Sequence, residues 1–192
     1  MQMDGPSVIP PSSTIKFVLL DRDGVINRKA PEGAYVHQWS DFQPLAGVEI
    51  AIAALNHANK RVMVVTNQRG VALGLYTQDD IEQLHHQLQK HLASHEARID
   101  AFYVCPHDNN QCNCRKPKTG LLEQAFDDNP DASRTNTLLI GDSLSDIQAA
   151  NSFGIPSILI ASPQNTTASE EAAVLASAVS PSLSDAVKKY LI

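Results

Sequence analysis

In Ile15-Lys16-Phe17-Val18-Leu19-Leu20-Asp21-Arg22-Asp23-Gly24 a short apolar run, Ile15 to Leu20, stops abruptly at the acid Asp21, and the architecture follows from it. An apolar stretch this short, without polar alternation, is the pattern of a strand covered on both faces, as in a parallel sheet. The same pattern returns at residues 61–66, 99–104, 137–140 and 155–160, which gives five predicted strands. Helical spacing fills the gaps. Val48, Ile52 and Leu55 mark a helix within 46–59, and Ile81, Leu84, Leu88 and Leu92 mark one that Thr77 and Asp80 can cap. Shorter helices are expected at 121–126 and 147–153. Strands alternating with helices predict an α/β fold with a doubly wound, mainly parallel sheet and right-handed crossovers. In such a sheet the ligand lies beyond the C-terminal strand ends. Asp21, Thr66, Cys105 and Gly141-Asp142 all stand there.

The chain has 192 residues, which predicts one domain over 15–192 preceded by a loose, flexible arm over 1–14 that holds three prolines and three serines. The tail from 161 is rich in Ala, Ser and Thr; residues 172–179 read as an edge strand and 182–191 as a closing helix. A net charge of −6, from 15 basic and 21 acidic residues, argues against nucleic acid or an anionic membrane as partner. It leaves room for a small anionic substrate in a locally positive pocket. No apolar run is long enough for a transmembrane helix, and no secretory signal is visible, so a cytoplasmic protein is expected. The sequence names no oligomeric state.

Asp21 and Asp23 are two carboxylates able to enter a strand-end crevice, one as nucleophile and the other as proton carrier. A hard cation beside them would offset their repulsion. Taken alone, an Asp-Gly pair is equally an ordinary turn. Thr66-Asn67-Gln68 adds a hydroxyl and amides at the second strand end, and Arg115-Lys116 adds two cations suited to phosphate. Gly141-Asp142-Ser143, with Asp146, adds further acids. Each set alone reads as a turn or a solvated charge; all four at successive strand ends read as a site.

The three cysteines cluster with a histidine in Cys105-Pro106-His107 and Cys112-Asn113-Cys114. Three sulfurs and one imidazole form a complete tetrahedral zinc set with no open position, hence a structural Zn2+. That metal would stiffen the loop delivering Arg115 and Lys116. His85, His86, His91 and His95 share a predicted helix; lacking a third ligand nearby, they read as a solvated surface. Trp39 reads as packing, and Tyr35 as packing or a substrate contact.

In its ordered set Asp21/Asp23, Thr66, Lys116 and Asp142, the sequence resembles the haloacid dehalogenase superfamily of phosphohydrolases over about residues 15–160. The resemblance implies that Asp21 attacks phosphorus to form an aspartyl-phosphate while Asp23 protonates the leaving alcohol and later activates water. It implies Mg2+ held by Asp21, the Asp23 carbonyl and Asp142, with Thr66 and Lys116 on the phosphoryl oxygens. Asp146 is expected to be a supporting acid. No gap holds a cap domain, so a capless core with an open site is expected.

Within the superfamily the zinc loop is similar to two groups, the D-glycero-D-manno-heptose 1,7-bisphosphate 7-phosphatases and the histidinol-phosphate phosphatases. Asp21 to Asn27, Tyr35-Val36-His37 and Thr66 to Gly74 favour the heptose group. Leu73, where that group usually has arginine, Arg69, where it has a small residue, and a short zinc loop depart from it. The resemblance implies a small phosphorylated sugar as substrate, contacted by Arg115 and by Thr66, Asn67, Gln68 and Arg69. A zinc-stabilised binding module without catalysis is the competing class, and the intact acid set speaks against it.

Overall fold

A computed structural model of the chain describes residues 7–31, 33–161 and 170–192. Strands β1 (Phe17–Leu20), β2 (Arg61–Asn67), β3 (Ala101–Cys105), β4 (Thr137–Gly141), β5 (Ser157–Ile160) and β6 (Ala178–Ser180) form one sheet in the order β3-β2-β1-β4-β5-β6. All the pairings are parallel. Helices α1 (Val48–His57), α2 (Gln78–Ala93), α3 (Gly120–Asp127), α4 (Leu144–Phe153), α5 (Glu170–Leu175) and α6 (Leu183–Tyr190) cover the sheet.

Successive strand residues face opposite sides, and the core divides accordingly. Val18, Leu20, Val62, Val64, Leu138 and Ile140 pack with α1, α2 and α6, whereas Phe17, Leu19, Met63, Val65 and Leu139 pack with α3 and α4. All four β1 residues are buried, each burial contributing about 2 kcal/mol. Both faces being covered explains why the first run lacks alternation.

The chain runs outward from β1 to β2 and β3, then returns to lay β4 on the other side of β1. The order therefore reverses between β1 and β4, and a crevice opens at their C-terminal ends. Leu20 pairs with Ile140, and Asp21 N–H donates to the Ile140 carbonyl at 2.9 Å. Asp21 and Asp142 thus leave the sheet side by side.

Two expectations are corrected. Residues 172–179 are not one edge strand: Glu170 to Leu175 form α5, and only Ala178 to Ser180 pair, with β5. Two glutamates in the first turn, followed by alanines and leucine, favour a helix. Of the four histidines, His86 and His95 are exposed as expected, but His85 is buried and stacked on Phe102 at 4.2 Å, and His91 is half-buried, meeting Glu49 at 2.9 Å and tilting against Trp39. Trp39 also stacks on Phe42, so it packs. Lys60 Nζ donates at 2.6 Å to the carbonyl of Ser12, within the described part of the expected arm, and at 2.7 Å to that of Ile15 just after it. Among the described residues no helix is long and apolar enough to cross a membrane.

Candidate active site and metal centres

A cavity of about 330 Å³ opens at the strand ends and is lined by Asp21, Asp23, Thr66, Asn67, Gln68, Arg115 and Lys116 together with Lys29, Tyr35 and Asp146. Seven of the predicted residues therefore meet in one place. Asp142 lies fully buried beside them. Arg69 does not line the cavity: its guanidinium pairs with Asp108 of the cysteine loop.

Lys116 is the electrostatic centre. Its Nζ sits 3.0 Å from Asp21 Oδ1, 2.5 Å from Asp146 Oδ1 and 2.7 Å from the Val65 carbonyl, with almost no exposure. Burial pulls its pKa down, but Asp146 and Asp21 outweigh burial and hold it above the usual lysine value. Asn67 positions this lysine through its backbone: Lys116 N–H donates to Asn67 Oδ1, and Asn67 Nδ2 donates to the Lys116 carbonyl, both at 3.1 Å. Gln68 likewise works within the protein, since Nε2 donates to Asp23 Oδ2 at 2.9 Å and to Thr66 Oγ1 at 3.0 Å.

Asp21, Asp142 and Asp146 place carboxylate oxygens within 4.8 Å of one another. Burial pushes Asp21 up to about 7; Lys116 opposes the rise, and Asp146, Asp142 and Asp23 add to it. Concentrated acids of this kind call for a cation. Lys29 Nζ supplies one charge, 3.1 Å from Asp142 Oδ2. The backbone is shaped to the cluster as well: Gly24 has φ +94°, and a Cβ there would lie 2.1 Å from Asp142 Oδ2. An all-oxygen set of this charge suits a small hard divalent cation such as Mg2+. The role of Asp146 is readable from sequence only as a supporting acid. In the fold it caps α4, accepting from Ser143 N–H at 3.0 Å, while its other oxygen holds Lys116. Lys29 carries no motif that could mark it.

Cys105, His107, Cys112 and Cys114 form the second cluster. Cys105 Sγ lies 3.6 Å from Cys112 Sγ and 3.2 Å from Cys114 Sγ, and His107 Nδ1 lies 3.3 Å from Cys114 Sγ. Sulfurs bound tetrahedrally at zinc–sulfur lengths stand about 3.8 Å apart, whereas a disulfide would hold them at about 2.05 Å. The donor set and its spacing therefore fit a Zn2+ ion. The loop between these ligands holds both arginines of the expected site, Asp108 pairing with Arg69 and Asn109 Oδ1 accepting from Arg115 Nε at 3.0 Å.

With this geometry, similarity to known proteins becomes informative. Over 148 residues the chain is 41% identical to the D-glycero-alpha-D-manno-heptose-1,7-bisphosphate 7-phosphatase of Mycobacterium tuberculosis (strain CDC 1551 / Oshkosh), covering 77% of each chain. The chain belongs to this phosphatase family. Another member, the D-glycero-beta-D-manno-heptose-1,7-bisphosphate 7-phosphatase of Vibrio cholerae, is 35% identical over 184 residues, covering 91% of this chain and 95% of the relative. The crystal structure of D,D-heptose 1,7-bisphosphate phosphatase from B. bronchiseptica, complexed with magnesium and phosphate, superposes with a TM-score of 0.81 at 30% identity. It covers 91% of this chain and 97% of that one. The HAD-hydrolase-like family model matches residues 113–186. As a family member the protein is a phosphatase, which excludes the inactive binding module.

Proposed function

We propose that the protein removes the 7-phosphate of D-glycero-D-manno-heptose 1,7-bisphosphate through an aspartyl-phosphate on Asp21. The observation that carries this reading is Asp21, Lys116, Thr66 and Asp23 lining one cavity at the β1/β4 switch point, in a chain akin to two heptose-bisphosphate phosphatases.

Asp21, 13% exposed at its side chain, presents its carboxylate to the cavity while Lys116 holds Oδ1. A phosphoryl group entering there meets Lys116 Nζ and Thr66 Oγ1, which take up charge on the equatorial oxygens. As Asp21 oxygen bonds to phosphorus, the ester P–O bond breaks and Asp23 gives a proton to the departing alkoxide. Asp23 then takes a proton from water as the water oxygen attacks phosphorus, the acyl-phosphate bond breaks, and Asp21 is restored. Asp21, the Asp23 carbonyl and Asp142 would hold Mg2+, with Asp146 adding charge beside them. When bound, the ion neutralises the acids and the transferring phosphoryl charge. Arg115, which lines the cavity, offers its guanidinium to a second phosphate or to sugar hydroxyls. Zn2+ in the cysteine cluster is assigned a structural role.

The test is phosphate release with Mg2+ from both anomers of heptose 1,7-bisphosphate and from histidinol phosphate, with phosphorus NMR identifying the ester lost. A preference for heptose in kcat/KM of about 100-fold, about 2.7 kcal/mol of differential transition-state binding, supports the assignment. A histidinol-phosphate preference, or loss of the 1-phosphate, overturns it.

A further inference from the structure

Beside Asp23 lies a buried chain of polar groups that takes no part in the proton and phosphoryl transfers above. Tyr76 O–H donates to Gln68 Oε1 at 2.9 Å, and Gln68 Nε2 donates to Asp23 Oδ2 at 2.9 Å. The Tyr76 ring stacks on His37 at 5.0 Å with the planes 2° apart and meets Tyr35 edge-on at 5.7 Å. Tyr35 itself lines the substrate cavity. The fold makes room for this ring: a Cβ at residue 70 would stand 2.1 Å from Tyr76, so only glycine is tolerated there.

A glutamine amide has two faces, one accepting and one donating. If Gln68 turned over, its carbonyl oxygen would face the Asp23 carboxylate, two acceptors in contact. The acceptor-only Asp23 carboxylate selects the orientation that sends N–H to it, and the Tyr76 O–H satisfies the buried Oε1 that this orientation leaves facing away, fixing the amide in place. Burial pushes the Tyr76 phenol up to about 12, so it keeps its proton at any working pH. Arg22 and Asn27 also hold Asp23, donating at 2.9 and 2.8 Å, and Arg22 meets the same segment by donating to the Val36 carbonyl at 2.6 Å; Tyr76 adds a second link to that segment, through its ring.

We infer that Tyr76 is a positioning residue for Asp23, acting through the amide of Gln68 and linking Asp23's orientation to the Tyr35 segment that lines the cavity. The inference rests on the role given to Asp23 above, as the carrier of the leaving-group proton. Gln68 is thereby a positioning residue rather than a substrate contact.

Tyr76→Phe keeps the ring and its stacks and removes the single O–H. Its effect is read in single-turnover formation of the phosphoenzyme, comparing heptose 1,7-bisphosphate, a poor leaving group, with 4-nitrophenyl phosphate, whose leaving group needs no proton. The expected result is a loss of about 10-fold with the sugar substrate, part of what a placed general acid supplies, with KM and the aryl rate within about twofold of wild type. Gln68→Leu also releases Thr66 Oγ1 and so lowers both rates; it serves as the background for the double variant, in which adding Tyr76→Phe costs nothing further, since the two act in one chain. Equal losses with both substrates in Tyr76→Phe, no loss with either, or additive effects in the double variant overturn the proposal. Wild-type enzyme is assayed first. If it ignores the heptose substrate, the substrate reading fails, and the comparison is repeated with whichever alkyl phosphate it accepts; the positioning role then stands or falls on the same alkyl-against-aryl selectivity.

Discussion

Asp21 occupies the first position after β1 because the strand's register delivers it there, and its environment makes it costly to ionise without a cation. Burial, the largest effect, pushes it up to about 7, and three neighbouring acids add to the rise. Replacing it with Asn keeps the shape and most hydrogen bonding but removes the oxygen that forms the acyl-phosphate. Asp21→Asn is expected to lower Mg2+-dependent phosphate release by about 1,000-fold or more, with zinc content and circular dichroism unchanged; retained turnover would exclude the covalent route. Asp146 makes a different kind of contribution. It is fully buried and holds Lys116 Nζ at 2.5 Å. Removing one partner of a buried pair strands the other charge, typically at a cost of about 3–5 kcal/mol. Asp146→Asn leaves Lys116 its contact with Asp21, so a loss near the lower end, about 3 kcal/mol, is expected in urea unfolding, together with a weaker response to inorganic phosphate as inhibitor.

Between residues and the whole fold stand the loops that carry side chains into the crevice, and the cysteine loop is the clearest of them. Asp108 and Asn109 lie inside it and hold Arg69 and Arg115, while Lys116 follows it directly. If the cluster holds Zn2+, losing one ligand loosens the contacts that fix Arg69 and Arg115, while Lys116 keeps its own. Cys112→Ser is expected to lower bound zinc from about one ion per chain, reduce thermal stability, and raise KM several-fold more than it lowers kcat. Metal analysis alongside steady-state kinetics checks this. An unchanged KM in a zinc-depleted variant would mean that the loop holds its arginines unaided. This element is readable because its ligands are close in sequence and chemically unambiguous. Arg69 is not: its position after Thr66-Asn67-Gln68 puts it next to the site in sequence, but the chain turns at residue 70 and carries it onto Asp108. The edge segment at 172–179 misleads for a related reason. The alanines and leucine at 172–175 continue a helix that Glu170 and Glu171 start, and extended structure begins only at Ala178, where β5 supplies a three-residue pairing that no local pattern encodes.

Over the whole molecule, the strand ends are legible because a buried parallel strand announces itself as an unbroken apolar run. The site can then be assembled from four strand ends without knowing their order. The order β3-β2-β1-β4-β5-β6 adds what the sequence lacks, placing β1 and β4 together so that Asp21 and Asp142 share a crevice. It also turns α2 toward the sheet, which buries the one histidine of its row that faces β3. His85 stacks on Phe102, its Nε2 has no hydrogen-bond partner, and burial, reinforced by Arg22, lowers its pKa to about 3. In the unfolded chain this imidazole takes up a proton near its ordinary value of 6.5, whereas in the fold it stays neutral. Between those two values the unfolded state binds more protons, so the contribution is intact above about pH 6.5 and shrinks as pH falls toward about 3. Between pH 7 and pH 4.5 the loss comes to about 3 kcal/mol for this one ring. Asp21 also changes protonation toward acid, but it does so equally in a His85→Phe variant. The difference in unfolding free energy between variant and wild type therefore isolates His85. Urea unfolding at the two pH values is expected to move that difference in the variant's favour by about 3 kcal/mol on acidification. A difference independent of pH would mean that the buried ring finds a way to charge within the fold.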